Sequence, residues 1–331
     1  MTLPLTLADI LAARRGIAGA ALRTPLIPSA THPDLLLKLE LAQPVGAFKL
    51  RGALNAVAHL PVDTPGVTCC STGNHGRAVA FAARARGFRA VVCMSRLVPE
   101  AKVAAIRALG AEARITGRSQ DEAGLESRRL AAEEGLAEIP PFDDPYVIAG
   151  QGTVGLELME DRPDLAAVLV PLSGGGLAAG VALAVKAASP ATKVIGVSMD
   201  RGAAMHAAFA ADRPVPVEEV ASLADSLGGG LGPANRLTYP LCRALLDHVL
   251  LVTEAEIYRA MQAHYWQDRL VTEGAAATPL AAVLSGRYAP EGPTALILTG
   301  RNVDMAQFTR VVTGEPVTLG TLTLEGSVHA P

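Results

Sequence analysis

Short apolar, β-branched runs alternate along this chain with longer Ala-rich stretches of helical period. This alternation restricts the fold more than any other feature. Residues 67–70 read as a strand and 75–83 as the helix after it. Residues 90–94 form the next strand, and a helix follows Pro99 with Val103, Ile106 and Leu109 on one face. A strand at 111–115 and a helix at 120–134 continue the series. Later, 167–170 reads as a strand, a glycine-rich turn follows, a helix begins at Leu177, and strands recur at 194–197 and 295–298. Such alternation implies parallel sheets covered by helices on both faces.

The 331 residues suggest about two domains, or one large α/β unit. The chain is 50% hydrophobic and 18% charged, which permits a sizeable core and excludes general disorder. A net charge of −3 offers no footprint for nucleic acid or an anionic membrane, so neither is expected as a partner. No apolar run reaches the ~18 residues needed to span a bilayer. Asp9, Arg14 and Arg15 interrupt the N-terminal apolar stretch, unlike a signal peptide, so a cytoplasmic location is expected. Cys69, Cys70, Cys93 and Cys242 lack metal-ligand spacing and read as buried reduced thiols. The Pro-rich segment 138–145 reads as a return crossing between two subdomains, with the outward crossing near 61–65. The expected division is a large domain, 1–65 and 147–331, and a small one, 66–146. After Arg310 a short strand and a tail are expected.

The sharpest local signal is Val170-Pro171-Leu172-Ser173-Gly174-Gly175-Gly176-Leu177, a strand running through glycines into a helix. Residues without side chains let backbone N–H groups approach an anion, and the helix adds its positive end. Gly174, Gly176 and Ala179, with Asp200 beyond the next strand, also fit a dinucleotide fingerprint, which keeps a nicotinamide-dependent dehydrogenase open. No Walker lysine follows, so a P-loop fails. A second run, Gly228-Gly229-Gly230-Leu231-Gly232, reads as a mobile loop near the site.

Lys49 lies in Gly46-Ala47-Phe48-Lys49-Leu50-Arg51-Gly52-Ala53 at an apparent helix start. Ser71-Thr72-Gly73-Asn74-His75-Gly76 follows a strand and opens a helix, offering N–H groups, hydroxyls and an amide to a carboxylate or phenolate. Thr299 ends a strand with a hydroxyl, where ligand crevices of parallel sheets lie.

Together these residues resemble the fold-type II (tryptophan synthase β-like) pyridoxal-phosphate enzymes, most nearly the threonine/serine dehydratase and serine racemase branch. The resemblance covers nearly the whole chain. It includes Arg23-Thr24-Pro25-Leu26, Lys38-Leu39-Glu40, Phe142-Asp143-Asp144-Pro145, Gln151-Gly152-Thr153, Asp225, Glu273-Gly274 and Gly300-Arg301-Asn302-Val303-Asp304. Within the branch, 71–78, Val197-Ser198-Met199, 225–230 and Arg301 look most like the hydroxyectoine-utilization dehydratases. The implied fold is two three-layer α/β subdomains, each centred on a parallel sheet. The implied assembly is a homodimer.

The resemblance implies that Lys49 holds pyridoxal 5'-phosphate as an imine and moves the substrate's Cα proton. Phe48 would border the cofactor. Gly174, Gly175, Gly176 and Leu177 would bind its phosphate, Asn74 its ring hydroxyl, and Thr299 would face its pyridine nitrogen. Ser71, Thr72, Asn74 and His75 would surround the substrate carboxylate. Thr72 also occupies the position of the opposite-face acid/base of racemase relatives. The implied reaction is β-elimination of a β-hydroxy-α-amino acid to a 2-oxo acid and ammonia, within hydroxyectoine utilization. A threonine/serine ammonia-lyase, a serine racemase-like enzyme and a catalytically silent cofactor-binding protein are the alternatives within this resemblance.

Departures matter. Ala47 replaces a serine and Ser226 a glycine. Ser198 stands where relatives place a cation-binding glutamate, and Gly202 and Ala204 supply no replacement ligand, so no metal site is expected. His264 reads as a core histidine on a helical face with Ile257, Ala260 and Met261. Asp143 and Asp144 read as turn formers, and Glu133 and Glu134 as a solvated helix face.

Overall fold

The structure, a computed structural model, describes residues 3–71, 73–96, 98 and 100–328. Its strands are β1 (Leu26–Pro28), β2 (Leu35–Lys38), β3 (Gly66–Cys70), β4 (Arg89–Met94), β5 (Glu112–Ile115), β6 (Ala137–Glu138), β7 (Ala167–Pro171), β8 (Lys193–Met199), β9 (His248–Val252), β10 (Thr294–Ile297), β11 (Val317–Leu319) and β12 (Leu322–Leu324). Six form one sheet in the order β1-β2-β10-β7-β8-β9, and four form another in the order β5-β4-β3-β6. Every pairing in these two sheets is parallel except β1 with β2.

Side chains alternate across a strand, so each buried strand feeds two cores. In β7, Ala167 and Leu169 join Leu37, Ile195, Val197 and Leu296 beneath the helices Glu254–Trp266 and Gly274–Leu284. Val168 and Val170 face the other way, with Val194, Ala295 and Ile297, against the helices Pro145–Asp161 and Gly176–Ala188. The smaller sheet is built likewise. Val67, Cys69, Val92 and Met94 pack under the helix Asn74–Arg86, while Val91 and Cys93 meet Ala123 and Leu130 of the helix Gln120–Glu134. The helix Lys49–Ala58 lies between the two layer systems, packed on both Asn74–Arg86 and Pro145–Asp161.

The chain after Arg310 differs from its expectation. The helix Met305–Thr313 is followed by an antiparallel hairpin of β11 and β12 rather than one strand. Gly320, at a φ of +60°, makes the reversal possible. Cys70 is only part-buried, whereas the other three thiols are buried. Among the described residues, no helix is long and apolar enough to cross a membrane.

Candidate active site

Lys49 opens its helix directly after a segment pinned to the end of β10. Phe48 N–H donates to the Thr299 carbonyl at 3.0 Å, and Arg301 N–H donates to the Gly46 carbonyl at 3.0 Å. Ala47 forms a bridge with Gly300 and is fully buried, so the missing serine hydroxyl leaves no polar group to satisfy. The Lys49 Nζ donates to the Pro141 carbonyl at 2.6 Å. Burial pushes its pKa down to about 8, against a smaller opposing pull from Glu273.

Pro141 leads into the glycine turn. The ring of the next residue, Phe142, lies against Gly174 so closely that a Cβ there would overlap it, and a Cβ on Gly176 would approach Phe142 to 3.0 Å. Gly175 adopts a φ of +88°, a left-handed conformation that favours glycine. The 13-residue helix Gly176–Ala188 starts within the turn, with Leu177 buried behind it. This is a cradle of backbone N–H groups at a helix N-terminus.

The 71–76 loop closes the other side. Ser71 follows β3, and its Oγ accepts from Gly73 N–H at 3.3 Å. Thr72 lies outside the described residues. His75 Nε2 donates to the Ile139 carbonyl at 2.8 Å. A carbonyl only accepts, so Nε2 carries the proton and the neutral ring keeps Nδ1 as an acceptor. Burial, and then the nearby Lys49, lower its pKa to about 3. Asn74 Nδ2 donates to both oxygens of Glu273, each at 3.0 Å, and its Oδ1 accepts from Asn302 Nδ2 at 2.6 Å.

Thr299 is 2% exposed, and its Oγ1 has no hydrogen-bond partner among the described residues. A buried hydroxyl left unpaired is costly, and a ligand acceptor or donor beside it would remove that cost. With a lysine amine, a bare-glycine anion cradle and an amide donor converging, these residues fit pyridoxal phosphate.

Several neighbours belong to the motifs that carried the resemblance but received no role in the sequence reading. Glu273 precedes the helix Gly274–Leu284, and burial raises its pKa to about 7. Asn302 and Arg77 continue its network, Arg77 donating to Asn302 Oδ1 at 3.0 Å. No local spacing links residues 74, 77, 273 and 302, so only the fold could reveal them. Arg51 is the centre of a buried ionic cluster with Lys38, Glu40 and Glu157.

Other candidates resolve into structure. Asp144 caps the helix Pro145–Asp161 by accepting from Val147 N–H. Asp143 accepts from the N–H groups of Arg236, Leu237 and Thr238, so it ties the return crossing to the helix Thr238–Leu245. His264 is fully buried, with Nδ1 2.8 Å from Asp268. Glu133 and Glu134 pair with Arg129 and Arg89 on the surface. Ser226 approaches Glu273 at 3.4 Å from the short turn that precedes the irregular glycine run 228–232. Ser198 is buried in β8.

Residues 17–300 match the family model described as pyridoxal-phosphate dependent enzyme. The chain is 56% identical over 295 residues to a putative threonine dehydratase of Sinorhizobium fredii, covering 87% of this chain and 89% of that one. It is 40% identical to the L-threonine ammonia-lyase of Thermotoga maritima, covering 85% and 71%. Among solved structures, maize serine racemase superposes with a TM-score of 0.86 at 33% identity, covering 92% of this chain and 96% of that one. A threonine deaminase from T.th. gives 0.85 at 40% identity, covering 91% and 99%. These matches place the chain among the enzymes that use pyridoxal phosphate rather than a dinucleotide: it belongs to the fold-type II pyridoxal-phosphate dependent enzymes.

Proposed function

We propose that this enzyme eliminates water from a β-hydroxy-α-amino acid and, with water returning at the α-carbon, releases ammonia and a 2-oxo acid. The carrying observation is Lys49, a desolvated amine joined through Pro141 to a glycine anion cradle. Bound pyridoxal phosphate supplies an electron sink for charge at the substrate's α-carbon. Lys49 would hold that cofactor, and its neutral amine would accept the substrate's α-proton. Gly174, Gly175, Gly176 and Leu177 bind the phosphate, Asn74 the ring hydroxyl, and Phe48 lines the wall. Thr299 offers the pyridine nitrogen a neutral hydroxyl, which does not force its protonation and so suits prompt elimination. Ser71, Asn74 and His75 hold the substrate carboxylate, and Thr72 is the acid/base candidate on the opposite face. In net terms the substrate's α-hydrogen and β-hydroxyl leave as water, and water returns to replace the nitrogen.

L-Threonine is the first substrate, because the similar proteins from Sinorhizobium and Thermotoga carry threonine in their names. A narrower reading is a ring-opened, Nγ-acylated 3-hydroxy-2,4-diaminobutyrate derived from hydroxyectoine. It rests on the motifs at 71–78, 197–199 and 225–230. Intact hydroxyectoine lacks the primary α-amine the cofactor needs. Comparing kcat/KM on L-threonine, L-serine and the acylated diamino acid tests the choice. A preference of more than about tenfold, or ~1.4 kcal/mol, for the diamino acid supports the narrower reading, and the reverse supports threonine. The same proposal includes subdomain boundaries at 65/66 and 146/147, supported by the residues each sheet contains. It also includes a cytoplasmic homodimer with no cation site, supported by the family likeness and the neutral side chain of Ser198.

A further inference from the structure

Two side chains from one turn of the helix Asn74–Arg86 and one from beyond β10 form a directed chain of hydrogen bonds that ends at Glu273. Arg77 Nη1 donates to Asn302 Oδ1 at 3.0 Å. Asn302 Nδ2 donates to Asn74 Oδ1 at 2.6 Å and to the Val45 carbonyl at 2.9 Å. Asn74 Nδ2 donates to the Glu273 carboxylate. A guanidinium can only donate and a carboxylate can only accept, so the sense of the chain is fixed at both ends. An amide nitrogen has two hydrogens. Both carboxylate oxygens lie 3.0 Å from Asn74 Nδ2, and one hydrogen shared between them would leave the other for the cofactor's ring hydroxyl.

Two glycines keep the chain in place. A Cβ on Gly46 would come within 2.9 Å of the Asn302 amide, and Gly46 has a φ of +76°. A Cβ on Gly300 would come within 2.5 Å of the Glu273 carboxylate. Gly300 is also bonded to both flanks of the site, through the Ala47 bridge and through Glu273 N–H donating to its carbonyl at 3.1 Å. Both relay groups therefore sit in space that only side-chain-free residues leave, beside the backbone that carries Lys49.

We infer that Arg77 is a positioning residue for the cofactor, acting through Asn302 to hold the Asn74 amide with its nitrogen toward the ring hydroxyl. This rests on the reading that pyridoxal phosphate binds at Lys49. The Arg77 guanidinium is part-buried, and its hydrogen bond goes to Asn302.

The test compares Arg77→Met, which keeps the apolar stem but loses the donor, with Arg77→Lys, which keeps a donor. Pyridoxal phosphate is titrated into apo-protein, and its dissociation constant and visible absorption band are read. Arg77→Met is expected to weaken binding about tenfold and change the band's position or shape, since the ring hydroxyl's hydrogen bond sets the cofactor's tautomer; a charge-assisted bond accounts for a loss of that size. Arg77→Lys is expected to stay within about threefold of the native protein. In an Asn302→Ala background, Arg77→Met should add little further loss, because the two act as a unit. Unchanged affinity and band in Arg77→Met, or fully additive losses in the double variant, would overturn the inference. Should Arg77→Met fail to fold, Arg77→Gln, which loses the charge but keeps a polar stem, takes its place in the same titrations with and without Asn302→Ala, and a loss of less than about threefold, or fully additive losses, overturns the inference. Failure of the native apo-protein to take up pyridoxal phosphate overturns the underlying reading as well, and is distinguishable because no variant is needed to see it.

Discussion

Arg51 lies two residues beyond Lys49 on the same helix and donates to Glu157 at 2.6 Å, which ties that helix to Pro145–Asp161. The same guanidinium grips Glu40 through Nε at 2.8 Å and Nη2 at 2.7 Å, and Lys38 completes the cluster by donating to Glu157 at 2.6 Å. Two buried cations thus meet two buried anions. The cluster fixes where Lys49's helix starts without touching the chemistry.

Breaking such a cluster costs more than the pair itself contributes, because the remaining charges stay buried. Arg51→Met should destabilise the protein by ~3–5 kcal/mol. Arg51→Lys should rescue little of this, since an ammonium cannot reproduce the fork that spans both carboxylates. Urea unfolding of the three proteins measures it, and a loss below ~1 kcal/mol for Arg51→Met would contradict the account.

Thr299→Val separates the two roles of one atom. Without cofactor, the variant should be at least as stable as the native protein, because an unpaired buried hydroxyl is removed. With cofactor, it should bind more weakly, by about fivefold to tenfold, because the pyridine nitrogen loses its partner. Apo-protein melting and pyridoxal-phosphate titration give the two signs. Equal affinity would place the hydroxyl outside the cofactor's reach.

Gly174→Ala places a methyl group against the Phe142 ring. The turn must shift, so phosphate recognition should fall more than recognition of the ring. Affinity for pyridoxal phosphate should drop at least tenfold while affinity for unphosphorylated pyridoxal changes little. A parallel loss of both would mean that the turn does not hold the phosphate.

The pH response follows from three groups. Lys49, with a pKa of about 8, keeps its proton below that pH and loses it above. Capture of pyridoxal phosphate by apo-protein should therefore accelerate as pH rises through about 8 and level off well short of 10, where an ordinary lysine would still be gaining. Glu273, raised to about 7 by burial and faced by Asp225, Ser226 and Asn74, is a carboxylate above that pH and an acid below it. Cofactor affinity should decline as pH falls through about 7, and Glu273→Gln should remove that step. His75 stays neutral down to about 3, so the step should persist in His75→Asn.

Much of this was legible in the sequence. Short apolar, β-branched runs located the strands β3, β4, β7, β8 and β10, because strands buried on both faces must be apolar throughout; β5 was found by the same kind of run, and the 3.6-residue period located the helices between them. The strands of three or four residues next to the N-terminus were not seen. Leu26–Pro28 and Leu35–Lys38 are too short to display a period, and Lys38 sits buried in a strand only because Glu157 pairs with it. The glycine turn and Lys49 announced themselves by composition and position. Glu273, Asn302 and Arg77 stood in recognised motifs without a role, since their meaning lies in contacts between residues some two hundred positions apart. Asp143 and Asp144 looked like turn formers and are helix caps, the same local chemistry used across a longer distance.

The most direct test of the central claim is product release from protein loaded with pyridoxal phosphate. L-Threonine, L-serine and the Nγ-acylated 3-hydroxy-2,4-diaminobutyrate would be supplied separately, and 2-oxo acid and ammonia measured together. The account predicts equal amounts of both from at least one of them, and loss of at least about a thousandfold in Lys49→Ala. A loaded protein that turns over none of the three, or a Lys49→Ala variant that keeps its rate, would contradict it.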